Sequence, residues 1–108
     1  MGLFNKKKSF EKQVHQAISS DQIVFLSLDN SSDETLLKIA DHMKEHIPYI
    51  INFEGLDIDD INKAIAFLSG ITYALNGEVV IIKEKILMFG DQVSYEDGSL
   101  KTFLQELN

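Results

Sequence analysis

The chain has 108 residues and a net charge of −7, with 44% hydrophobic and 25% charged residues, a composition that suits one folded domain with a single core. It has no cysteine, which excludes disulfides, thiolate metal sites and cysteine nucleophiles. No apolar run reaches the ~18–20 residues of a membrane-spanning helix, and Lys6, Lys7 and Lys8 are not followed by the apolar stretch of a secretory signal.

The charge is unevenly placed. Residues 1–20 carry four lysines and one acid, a net +3, whereas residues 21–108 carry six lysines and sixteen acids, a net −10, and arginine is absent throughout. An acidic body without arginine lacks the basic surface that phosphates require, so no nucleic-acid partner is expected. A basic tip on an acidic body points to a separate partner for the tip.

That tip is the first element. Wound as a helix over residues 2–18, Leu3, Phe10, Val14 and Ala17 share a side, with Phe4 and Ile18 at its edges and Lys6, Lys8 and Lys12 over much of the rest. Such a helix can bury its apolar side chains at a lipid boundary while its lysines attract anionic headgroups. Residues 1–18 are therefore expected to form a basic amphipathic membrane-targeting segment, and residues 19–108 the core domain. Leu3, Phe4, Lys6, Lys7, Lys8 and Phe10 are the expected contacts to an anionic membrane surface. A polar tail, or a helix packed on its own core, is the competing reading. Lys6 stands where a myristoylation motif wants Ser or Thr.

The stretch IVFLSL (23–28) reads as a strand. In SSDE (31–34), Ser31 and Glu34 have capping-box spacing, and the helix they open is expected to bury Leu36, Leu37, Ala40 and Met43 before stopping at Pro48. YIINF (49–53) is the second strand. Asp57, Asp59 and Asp60 open a second helix at its positive dipole end, and Gly77 is the expected left-handed cap at its close. EVVIIK (78–83) and ILMF (86–89) read as strands joined by a tight turn near Glu84 and Lys85. QVSY (92–95) reads as a possible fifth strand. Ser99 is placed to cap a last helix that buries Leu100, Phe103, Leu104 and Leu107. The order β-α-β-α-β-β-(β)-α predicts an α/β sandwich, with one small mixed sheet and two main helices.

Residues 23–26 and 79–82 are continuously apolar, as in strands buried on both faces. Two helices cover only one face of a small sheet. The other face is expected to be covered by the last helix, by a second subunit, or by both.

The second helix is apolar around much of its circumference. Ile58, Ile61, Ile65, Leu68, Thr72 and Leu75 form one stripe, and Ala64, Phe67, Ile71 and Ala74 a second beside it. A third strip holds Lys63, Ala66, Gly70 and Tyr73. A glycine inside a helix costs about 1 kcal/mol relative to alanine. Small residues four apart let another backbone approach. Gly70 therefore marks either close packing within the chain or a helix contact between subunits, with Ala66, Gly70 and Tyr73 as the candidate self-assembly surface.

The string FLSGITYALNG (67–77), with the acidic opening of its helix, Asn52 in the preceding strand and the hairpin that follows, resembles the SepF family of cell-division proteins over roughly residues 48–90. The predicted element order is similar to that family's core, and MGLFNKKKSF stands where the family carries its membrane-binding segment. The resemblance implies a non-enzymatic adaptor, with no cofactor. Such a protein would be cytoplasmic and peripheral at the inner face of the cell membrane at the division site. It would form a homodimer and larger polymers, and would bind the C-terminal tail of the tubulin-like GTPase FtsZ. Carried onto this sequence, the tail-binding positions are Lys63 and Phe67, and Gly70 lies at a helix-mediated contact between subunits. The chain departs from the family pattern after the hairpin, where Gly90 and Asp91 replace a threonine-proline step. The helix also carries fewer basic residues than usual.

Other chemistry has weaker support. His42 and His46 have a spacing that could present two imidazoles to a metal, but no third ligand is apparent in the sequence. Asp57, Asp59 and Asp60 have a sufficient role as helix openers. No phosphate-binding GxxxxGK[ST] loop and no GxSxG nucleophile elbow occurs. The alternative to a membrane-bound adaptor is a soluble acidic homodimeric interaction domain of the same fold with a different partner.

Overall fold

A computed structural model of the chain describes residues 18–107. After a 3-10 turn at Ser19–Gln22 come β1 (Val24–Ser27), α1 (Asp33–Lys44), β2 (Tyr49–Asn52), α2 (Ile58–Ala74), β3 (Glu78–Lys83), β4 (Ile86–Gly90), a short α3 (Gln92–Tyr95) and α4 (Ser99–Glu106). The strands form one mixed sheet in the order β1-β2-β4-β3. β1 and β2 are parallel, a pairing that requires a crossover, and α1 supplies it. β4 returns antiparallel to both β2 and β3. The expected α/β architecture and element order are therefore observed.

α1 and α2 lie on one face of the sheet. Leu36, Ile39 and Met43 of α1 and Ile61, Ala64 and Leu68 of α2 pack there against Tyr49, Ile51, Phe53, Leu87 and Phe89. The rings of Phe53 and Phe89 meet edge to face at 6.2 Å. Thr72 is buried with them because its hydroxyl donates to the Leu68 carbonyl at 2.7 Å. The second face is covered by α4, whose Leu100 packs with Ile23, Ile50 and Met88, flanked by Phe103 and Leu104.

The continuous apolar runs are less buried than their pattern suggests. β2 and β4 are central and almost wholly buried. The runs at residues 23–26 and 79–82 belong to the edge strands β1 and β3, where the helices end their coverage. Phe25 remains 66% exposed and Ile81 72% exposed. Phe103 of α4 reaches Phe25 only edge-on, at 6.4 Å between ring centres.

Several local expectations are corrected. Ser32, not Ser31, caps α1 by accepting from the Thr35 N–H at 3.2 Å. Ser31 is turned inward, and its hydroxyl donates to Asp60 on α2 at 2.8 Å. Leu37 is 52% exposed, and Ile39 takes the buried place expected for it. The helix ends before Pro48, because His46 turns left-handed (φ 70°) and the Ile47 N–H bonds back to the His42 carbonyl.

The same capping geometry closes α2, but Asn76 (φ 57°) is the left-handed residue there, not Gly77. Gly77 is required for a different reason. A Cβ on it would lie 1.9 Å from the Gly90 carbonyl oxygen, so the helix exit presses directly on the end of β4.

QVSY is a helix rather than a strand. Asp91 caps it by accepting from the Ser94 N–H at 2.8 Å. Ser99 is the first residue of α4 rather than its cap. The cap position is the left-handed Gly98, and Asp97 accepts from both the Ser99 N–H and its hydroxyl.

Candidate peptide-binding cleft and assembly face

α1 and α2 run side by side, with their N-terminal ends together at one end of the sheet. Asp57 fixes the start of α2 by accepting from the Asp60 N–H at 2.9 Å. The Ser31–Asp60 hydrogen bond ties the start of α1 to that first turn. The two helix openings are thereby held in register, and Asp33 faces Lys63 across the gap, with the Lys63 Nζ 3.2 Å from an Asp33 carboxylate oxygen.

The two partners of this ion pair, with Leu36, Leu37 and Phe67, line a cleft of about 350 Å³. Its walls are apolar apart from the pair at its mouth. Lys63 and Phe67 lie four residues apart on α2 and so project on the same side. The structure therefore brings the two residues suggested for peptide binding into one cleft. Sequence reasoning missed Asp33, Leu36 and Leu37 as its other walls. A signal for Leu37 was present: two adjacent leucines on a helix cannot both point straight at the sheet.

Ala66, Gly70 and Tyr73 lie on the outward side of α2. Ala66 and Gly70 are exposed, and Tyr73 is 85% exposed. A Cβ built on Gly70 would meet nothing within 4 Å, and the residue does not have positive φ. The possibility that Gly70 serves close packing within the described chain is therefore removed. Neither sterics nor backbone conformation in the described residues requires glycine there.

The two histidines of α1 face different partners. His42 Nδ1 shares a hydrogen bond with the Tyr49 hydroxyl at 2.6 Å, with the two rings stacked. His46 Nδ1 meets the buried Asp91 carboxylate at 2.5 Å. Burial alone would raise the pKa of Asp91, but the hydrogen bonds from His46 and Ser94 outweigh it and hold the carboxyl below its usual value. Among the described residues no group of three or more His, Cys, Asp or Glu side chains is arranged to hold a metal ion. Asp57 and Asp60 are engaged in the contacts that set the helix starts.

The expected membrane contacts Leu3, Phe4, Lys6, Lys7, Lys8 and Phe10 lie outside the described residues. Ile18 is extended and half exposed. The chain then joins the core where the Ser19 N–H donates to Asp97 and the Ser20 N–H to the Ser99 hydroxyl. No helix among the described residues is long and apolar enough to cross a membrane.

Comparison with known proteins places this geometry in a family. Residues 23–90, from the start of β1 to the end of β4, match the family model described as cell division protein SepF. A cell division protein SepF of Ruminiclostridium cellulolyticum is 31% identical over 101 residues, covering 94% of this chain and 64% of the relative. One from Listeria monocytogenes serotype 4a is 30% identical over 71 residues, covering 66% of this chain and 47% of the relative. One from Symbiobacterium thermophilum is 41% identical over 58 residues, 54% of this chain and 29% of the relative. The chain thus spans less than two thirds of the length of these curated relatives. With a family model matching all four strands and both main helices, and relatives aligned over most of the chain, this protein belongs to the SepF family of cell-division proteins.

Proposed function

We propose that the chain is a non-enzymatic division adaptor that takes the C-terminal tail of FtsZ into the cleft between α1 and α2. The observation that carries this reading is the convergence of Lys63 and Phe67 on one apolar cleft with a charged mouth. A groove between two helices, with an aromatic wall and the cation Lys63, suits a short peptide that offers one apolar anchor. The adaptor assembles through the open face of α2 at Ala66, Gly70 and Tyr73, and contacts an anionic membrane surface through residues 1–18. Weak attachment of each tip would be strengthened by assembly, since linked sites bind together. These functions place it at the inner face of the cell membrane at the division site.

Titration of the purified chain with the FtsZ tail peptide of the same organism tests the proposal. Binding in the micromolar range is expected, lost in Lys63→Glu and Phe67→Ala. Absence of binding at high micromolar peptide, or binding unchanged in both variants, refutes the assignment. The exposed Gly70 surface also supports a second reading, a homodimeric interaction domain with another partner. That reading predicts dimers in solution with neither tail nor vesicle binding.

A further inference from the structure

Resting on the reading that a peptide occupies the α1–α2 cleft, we infer that Asp33 is a built-in competitor for Lys63, so that the ligand must present a carboxylate able to displace it. Among the described residues lining the cleft Lys63 is the only cation, and Leu36, Leu37 and Phe67 supply the apolar wall. In the free chain the lysine is already paired with Asp33, at 3.2 Å. The pairing is prearranged, because the Ser31–Asp60 hydrogen bond sets the start of α1 against the first turn of α2, and Asp60 precedes Lys63 by three residues on that helix.

Both partners of the ion pair are largely exposed, with side-chain exposures of 50% for Lys63 and 87% for Asp33. Such a pair contributes little and exchanges readily. A carboxylate on the ligand can take the Nζ while Asp33 rotates into water. The surroundings limit this exchange. Asp33, Asp59 and Asp60 all lie in the first turns of the two helices. A second carboxylate on the ligand near this end would be repelled, so the cleft selects one acidic group beside one apolar anchor. Lys63 is thus a guarded cation, and Asp33 sets the cost that a carboxylate ligand meets in taking the lysine.

The test is a double-mutant cycle read by titration with the FtsZ tail peptide, using the wild-type chain, Asp33→Asn, Lys63→Met and the double variant. Circular dichroism of each confirms the fold. The expected result is that Asp33→Asn tightens binding by about two- to five-fold, the scale set by an exposed ion pair. Lys63→Met is expected to weaken binding, and Asp33→Asn to have no further effect in the Lys63→Met background. If Lys63→Met weakens binding but Asp33→Asn leaves affinity unchanged or weaker, the inference falls and the cleft assignment stands. An equal gain with and without Lys63 also overturns it, since Asp33 would then act by general repulsion. If none of the four proteins binds the peptide, the cleft assignment fails and the inference fails with it.

Discussion

Gly70 offers the sharpest use of the α2 geometry, because substitutions there separate the stability of the single chain from the proposed assembly. The residue sits in the interior of a 17-residue helix, does not have positive φ, and a Cβ on it would meet none of the described residues within 4 Å. An alanine there adds helix propensity and reduces the freedom of the unfolded chain, without a steric penalty. The expected gain is about 1 kcal/mol. For a domain of this size that raises the melting temperature by about 4–8 °C. The measurement is thermal unfolding by circular dichroism at low micromolar concentration, where assembly adds little to apparent stability. Analytical ultracentrifugation at higher concentration supplies the second readout. Gly70→Ala is expected to stabilise the dilute chain, and the bulkier Gly70→Lys to leave it folded but break assembly. A melting temperature lowered by Gly70→Ala would show instead that the glycine serves the chain's own packing.

Other sites give contrasting expectations. Gly77→Ala forces a Cβ onto the Gly90 carbonyl, with backbone on both sides, and should destabilise by at least ~1–3 kcal/mol in chemical denaturation. Leu100→Ala empties the contact between α4 and the second sheet face and should cost about 2–5 kcal/mol by the same assay. Hydrogen bonds from the Ser19 N–H and from Ser99 pull the Asp97 carboxyl down to about 2, and Asp91 is also held below its usual value, so both titrate lower folded than unfolded. The stability they contribute is full above about pH 4 and lost as pH falls through the folded values, so acid unfolding of Asp97→Asn should be less steep below about pH 4. Deletion of residues 1–12 should abolish sedimentation with anionic vesicles while leaving the thermal transition unchanged.

The elements were legible in the sequence where period and cap agreed. The aspartates at 57, 59 and 60, followed by helical apolar spacing, gave the start of α2. The apolar hairpin at 78–89 gave β3 and β4. Errors arose where two neighbouring residues could fill one role. Ser31 and Ser32 can each cap a helix, and the choice was made by Asp60, which captures the Ser31 hydroxyl from another element. Asn76 and Gly77 can each turn left-handed. Asn76 does so because Gly77 is needed where α2 meets β4.

QVSY alternates like a strand, yet Asp91 caps it as a helix and also binds His46, a residue 45 positions away. Tertiary partners settled each of these cases, and sequence spacing carries no record of them. The candidate site divided in the same way. Lys63 and Phe67 were reachable through the family string, whereas Asp33 and Leu37 enter the cleft only because α1 packs beside α2.

Mapping amide chemical shifts of the isotopically labelled chain during addition of the FtsZ tail peptide locates the peptide site on the molecule. With the peptide in the α1–α2 cleft, the largest changes are expected on Asp33, Leu36, Leu37, Lys63 and Phe67. Changes centred on Phe25, Ile50 and Ile86, which line a groove on the opposite face of the sheet, would contradict that placement.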